Sequence, residues 1–151
     1  YGDTHACLPV WEATEIMAFG TLLTFFTGSP HAVKKAVADQ FGVPWGVLRS
    51  WLLTLNTVRN TCAHHGRLWN RVLGTKPLLP DGTNYPDWVK PVQIRNEKIF
   101  GVLTLCRHCL RRVAPQSAWP ERLQALLAEF STIPLTSMGF PPDWEDSPLW
   151  Q

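Results

Sequence analysis

The chain has no aspartate or glutamate between Asp39 and Asp81, a gap that its overall charge of +2 conceals. The same interval carries Arg49, Arg59, Arg67, Arg71 and Lys76, so a local positive potential develops there and an anionic partner is favoured over a cationic one. Cysteine is also sparse. Cys7, Cys62, Cys106 and Cys109 lack the framework spacing of a small secreted domain and sit among apolar helical patterns, which argues against a disulfide-stapled scaffold and for a reducing, cytoplasmic setting. Long hydrophobic runs are missing too. The longest, Ile16 to Phe26, is interrupted by Gly20, Thr21 and Thr24 and is too short to cross a bilayer; with no signal peptide, no membrane partner is expected. Strand-like alternation and internal repeats are absent, which leaves helices as the means of building a core.

What is present is ample apolar material. Hydrophobic residues make up 45% of 151 positions and include eight tryptophans, enough for the core of one domain spanning 1–151. Pro9 opens a helix with a broad apolar face (Val10, Trp11, Ala13, Thr14, Ile16, Met17, Phe19, Leu22, Leu23, Phe26) that closes at Gly28. Ser29-Pro30 starts a second, short helix with Ala32, Val33, Ala36, Val37 and Phe41 inward and Gly42 as its stop. A third runs from Trp45 to about His65, with Leu48, Trp51, Leu52, Leu55, Val58 and Cys62 on one face at about 100° per residue. Residues 74–93, with Pro77, Pro80, Pro86 and Pro91, form a long proline-rich loop that packs on the bundle through Leu78, Leu79, Tyr85 and Trp88. Ile94 to Val113 reads as a fourth helix. Ser117 to Pro120 caps a fifth, with Leu123, Leu126, Leu127 and Phe130 inward, before an irregular proline-rich tail. The expected fold is an all-α bundle. Because the chain begins at Tyr1, almost directly on a helix signal, part of the functional unit is expected to lie outside it.

The chemistry concentrates in residues 58–71, where Arg59, Arg67, Arg71, His64, His65, Asn60 and Asn70 share fourteen positions with no carboxylate. Cleaving RNA without a metal needs a group to take the 2′-hydroxyl proton, one to protonate the leaving 5′-oxygen, and a cation for the charged transition state. Histidine titrates near neutrality, and arginine offers a planar fork that matches phosphate. Asn60 precedes His64 by one helical turn and can orient it. Arg59 falls in the apolar stripe about 40° from Leu55, so it needs a partner, and Glu15 on the first helix is the candidate. Arg59 and His64, five apart, diverge by about 140° on a regular helix. Either the last turn is distorted, or two copies face each other across a two-fold axis and share a site.

Arg59-Asn60-Thr61-Cys62-Ala63-His64 matches the Arg-Asn-x-x-x-His signature of HEPN-domain ribonucleases. The longer string through Arg71 resembles the Abi-like (AbiD/AbiF) branch of that superfamily, as do Leu8-Pro9-Val10-Trp11 with Glu15, Phe19 to Leu22, Ser50 to Leu52, and Met138 to Trp144. The resemblance implies a HEPN-like helical bundle, bacterial phage defence by abortive infection, and metal-independent endoribonuclease activity needing no cofactor. It assigns catalysis to Arg59, Asn60 and His64 and RNA contacts to His65, Arg67 and Arg71. It also implies a homodimer with a composite site, and a regulatory RNA or antitoxin as partner. Abi-like proteins usually carry a helical region before the Leu-Pro-x-Trp segment; this sequence lacks one.

Plainer roles compete with each of these. A histidine pair at a helix end often caps carbonyls, and the motif of a non-catalytic RNA- or nucleotide-binding or dimerisation module could be kept for packing. Cys106-Arg107-His108-Cys109, without a second ligand pair, reads as core and not as a zinc site. Arg107, Arg111 and Arg112 read as a solvated helix face. Most tryptophans read as core, Trp69 beside the motif being the one candidate base-stacking platform.

Overall fold

The computed structural model describes residues 9–151, which form an all-helical fold; Cys7 and Leu8 lie outside the described residues. The α-helices are α1 (Val10–Ile16), α2 (Phe19–Gly28), α3 (His31–Phe41), α4 (Trp45–Ala63), α5 (Ile99–Val113) and α6 (Trp119–Glu129). Short 3-10 turns occupy Pro86–Trp88, Leu135–Met138 and Trp144–Asp146. No strand occurs among the described residues. Helix α4 is central, packing against α2, α3 and α5, and α3 also reaches α5.

The single opening helix expected from Pro9 to Gly28 is two helices. Met17 and Ala18 both take extended backbone angles, a break that no proline or glycine announces. The apolar face of α1 is not inward: it buries no residue, and Trp11 and Ile16 are 63% and 76% exposed. In α3 the inward positions are Lys34, Ala38 and Phe41, not Ala32, Val33, Ala36 and Val37. Lys34 manages this by snorkelling, its stem passing Trp45 (Nζ 4.9 Å from the ring centre) and its Nζ donating to the Thr27 carbonyl at 3.2 Å. Ser29 donates its hydroxyl back to the Phe25 carbonyl of α2 and does not cap α3. Gly42 ends α3 in the left-handed conformation, which its missing Cβ allows.

Two apolar clusters hold the bundle. The larger centres on Leu48 and Trp51 of α4, Phe100 and Leu105 of α5, and Trp88 of the proline-rich loop. That loop is bonded in place, since Trp51 Nε1 donates to the Leu78 carbonyl at 2.7 Å and the Leu78 N–H donates to Ser50 Oγ at 2.8 Å. The tail belongs to the same core. Phe140, Trp144, Leu149 and Trp150 are buried there, with Trp150 stacked on Phe100 at 5.7 Å and its Nε1 donating to Thr104 Oγ1 at 3.0 Å. Arg107 clamps the tail by donating to the carbonyls of Leu149, Trp150 and Gln151, and so is not simply a solvated cation. Helix α5 begins at Ile99, five residues later than the periodicity suggests, because the preceding segment is tied elsewhere: the Ile94 N–H donates to the Trp88 carbonyl and Asn96 Nδ2 to the Pro77 carbonyl. In α6, Leu123 and Leu127 pack inward, whereas Leu126 and Phe130 are about half exposed. Cys106 and Cys109 pack against the core, where burial pushes their thiols up to about 11 and about 12.

Candidate functional site

Helix α4 delivers the motif at its C-terminal end, beyond the part of the helix that is fully buried. Its sealed positions are Leu48, Trp51 and Thr54; Leu55 and Val58 are half-buried, and Cys62, expected inward, is exposed. Gly20 of α2 approaches the side of α4 closely enough that an added Cβ would lie 3.6 Å from Asn56 Oδ1.

The helix ends one residue before the doubled histidine. His64 is the C-cap (φ −95°, ψ 21°), and His65, not Gly66, takes the left-handed position at φ 54°. The Gly66 N–H donates to the Thr61 carbonyl at 2.7 Å and the His65 N–H to the Cys62 carbonyl at 2.9 Å, the paired bonds of a Schellman termination. Glycine is needed at 66 for closeness: a Cβ there would come within 2.7 Å of Thr61 Cγ2 and 2.9 Å of its carbonyl oxygen.

The chain then folds back as a pinned loop. Leu68 and Leu73 insert into the smaller apolar cluster with Val58, Ile99 and Val102. The Leu73 N–H donates to the Glu97 carbonyl at 2.8 Å, and Lys98 Nζ donates to Asn70 Oδ1 at 2.9 Å. This return places Arg71 beside the helix end. Thr57, Asn60, Thr61, His64, Gly66 and Arg71 line one open depression of about 410 Å³. Asn60 and His64 thus share a face, one turn apart, with the His64 N–H still donating to the Asn60 carbonyl at 3.0 Å.

The other expected site residues are distributed around this depression. Arg59 does not lie in the buried stripe; it is exposed and its Nη1 donates to Asn60 Oδ1 at 3.2 Å. Glu15 is exposed and forms no ion pair with it, and no carboxylate of the described residues pairs with Arg59, Arg67 or Arg71. The physical reason is that an exposed guanidinium stays hydrated and needs no buried partner. Arg67 and Arg71 share an adjoining hollow of about 430 Å³ with Trp69 and Asn70. His65 is exposed and lines neither concavity. Sequence reasoning missed Thr57, Thr61 and Lys98. The threonines have helical spacing with Asn60 and His64 and could have been found; nothing in the chain links Lys98 to Asn70, 28 positions away.

The family model described as Abi-like protein matches residues 1–70. That segment is similar to Abi-like proteins. It contains Glu15, Arg59, Asn60, His64, His65 and Arg67, and it stops one residue short of Arg71 and well before the Met138–Trp144 ending. No curated protein and no solved structure matches the chain. Downstream of the Abi-like segment, Arg71 and the loop to Leu73 complete the depression at the end of α4. No helix among the described residues is long and apolar enough to cross a membrane.

Proposed function

We propose that this chain is the RNA-cleaving part of an abortive infection protein of the HEPN type, acting in the bacterial cytoplasm during phage defence. The observation that carries the reading is the shared depression of Asn60, His64 and Arg71, which has no carboxylate in its walls and so favours a phosphodiester. Arg71 and the nearby Arg59 would neutralise the phosphate, Arg67 and His65 would contact the flanking backbone, and Asn60 would orient the imidazole. His64 would move a proton. Attack of the 2′-oxygen on phosphorus breaks the bond to the 5′-oxygen, which leaves protonated. The products are a 2′,3′-cyclic phosphate and a 5′-hydroxyl.

One chain supplies one imidazole to this depression, whereas the reaction needs both a base and an acid. Two depressions facing each other in a homodimer supply both, and a regulatory RNA or antitoxin would hold that assembly silent. Purified full-length protein is expected to cut RNA in EDTA, and His64→Ala to lower the rate by about 100-fold or more. Cleavage at the wild-type rate by His64→Ala, or intact RNA with wild-type protein that arrests growth when expressed, would overturn the reading. Arg59 is exposed, so Arg59→Ala should fold normally and any lost activity would be chemical in origin.

A further inference from the structure

Three concavities are linked, two by a shared residue and the third by a hydrogen bond. The depression at the end of α4 shares Arg71 with the hollow of Arg67, Trp69 and Asn70. Asn70 Oδ1 then accepts from Lys98 Nζ, and Lys98 helps to wall a third concavity of about 520 Å³ that also contains Gln93 and Arg95. We infer that these form one track for single-stranded RNA, with the phosphodiester to be cut beside His64 and the adjoining nucleotides running over Trp69 to Lys98 and Arg95. This rests on the RNA-cleavage reading and adds to it the path and the strandedness of the substrate.

The components suit that ligand. Arg67 and Arg71 line the second concavity with one exposed indole, Trp69 at 38%, and Lys98 and Arg95 line the third. Cations for phosphates with an aromatic face for a base are what an unpaired strand requires; a duplex would keep its bases from the indole. Glu97 also lines the third concavity, which makes that end the least positive part of the track. The track is pre-formed. Lys98 Nζ donates to the Ser137 carbonyl at 2.9 Å as well as to Asn70, and Gly139 (φ +90°) lets the Lys98 stem pass where a side chain would intrude. Asn70 holds a left-handed conformation at φ 54° while it accepts that bond. A strand bound here therefore meets groups already in position.

The test uses 2′-O-methyl RNA, which cannot be cut, so binding is read separately from cleavage. Wild-type protein should hold an oligomer of roughly a dozen nucleotides more tightly than a dinucleotide. Arg95→Ala should weaken the long oligomer about threefold to fivefold, and the slope of log affinity against log salt should become shallower by about 0.7. Arg122→Ala, an exposed charge on α6 that lines none of the three concavities, should change neither quantity. The track is overturned if Arg95→Ala leaves affinity and salt slope unaltered, or if the dinucleotide binds as tightly as the long oligomer. Intact ordinary RNA alongside the expected Arg95→Ala result would remove the cleavage reading and leave the track standing.

Discussion

His108 shows how much one side chain's behaviour depends on what surrounds it. Its ring lies edge-on to Trp51 at 5.4 Å and beside Trp88 at 5.6 Å, and its Nε2 meets the Phe41 carbonyl at 2.7 Å, so that nitrogen carries the proton. Burial presses the imidazole below its ordinary value of 6.5, Arg112 and Arg111 push the same way, and the Phe41 carbonyl pulls back. With the folded value lowered, the unfolded chain takes up a proton first as pH falls below 6.5, so this group withdraws stability toward acid and contributes nothing above that pH. Urea unfolding at about pH 5 and about pH 7.5 should show a smaller stability difference for His108→Asn than for the wild type. An undiminished difference would rule His108 out as its source. In the sequence His108 was one member of a Cys-x-x-Cys run, and nothing there said that two tryptophans from distant segments would enclose it.

At the scale of elements, the end of α4 is where local chemistry and function meet. A histidine at the left-handed position costs about 1 kcal/mol that a glycine would not. His65→Gly should therefore raise stability by about 0.5 kcal/mol once the freer unfolded chain is counted. Gly66→Ala should lower it by about 1–3 kcal/mol, because the new methyl meets the Thr61 carbonyl, which is backbone and cannot swing aside. Thermal unfolding of the two variants should move the midpoint in opposite directions; a common direction would contradict this account of the helix end. The start of α4 at Trp45, and its end within two residues of His65, were legible because proline, glycine and apolar spacing are local signals. That Arg59 is exposed was not, since a 3.6-residue period says which residues share a face and not which of them a neighbour covers.

Over the whole molecule, burial is uneven. Helix α5 has six sealed residues, Ile99, Phe100, Gly101, Val102, Thr104 and Leu105, whereas α1 has none. Amide hydrogens of α1 should exchange early and those of the first two turns of α5 last, near the rate set by global unfolding. Equal protection of the two helices by mass-spectrometric exchange would show that α1 is held by contacts other than apolar burial. The aromatic tail argues the same way. Phe140, Trp144 and Trp150 sit in a stretch without helical period, yet they complete the core around Phe100.

The all-helical class, the proline-rich loop that packs on the bundle, and the carboxylate-free run with its Arg59-Asn60-x-x-x-His64 signature were determined by the sequence alone, because periodicity, helix punctuation and charge are properties of neighbouring residues. The break at Met17-Ala18, the exposure of Arg59 and Glu15, and the joining of Arg71 to Asn60 and His64 were decided only by the tertiary structure. Each depends on what packs against a segment from elsewhere in the chain. For the site, that partner is the short return from Gly66 to Leu73, fixed by the buried Leu73, the half-buried Leu68 and the bond from Lys98 to Asn70.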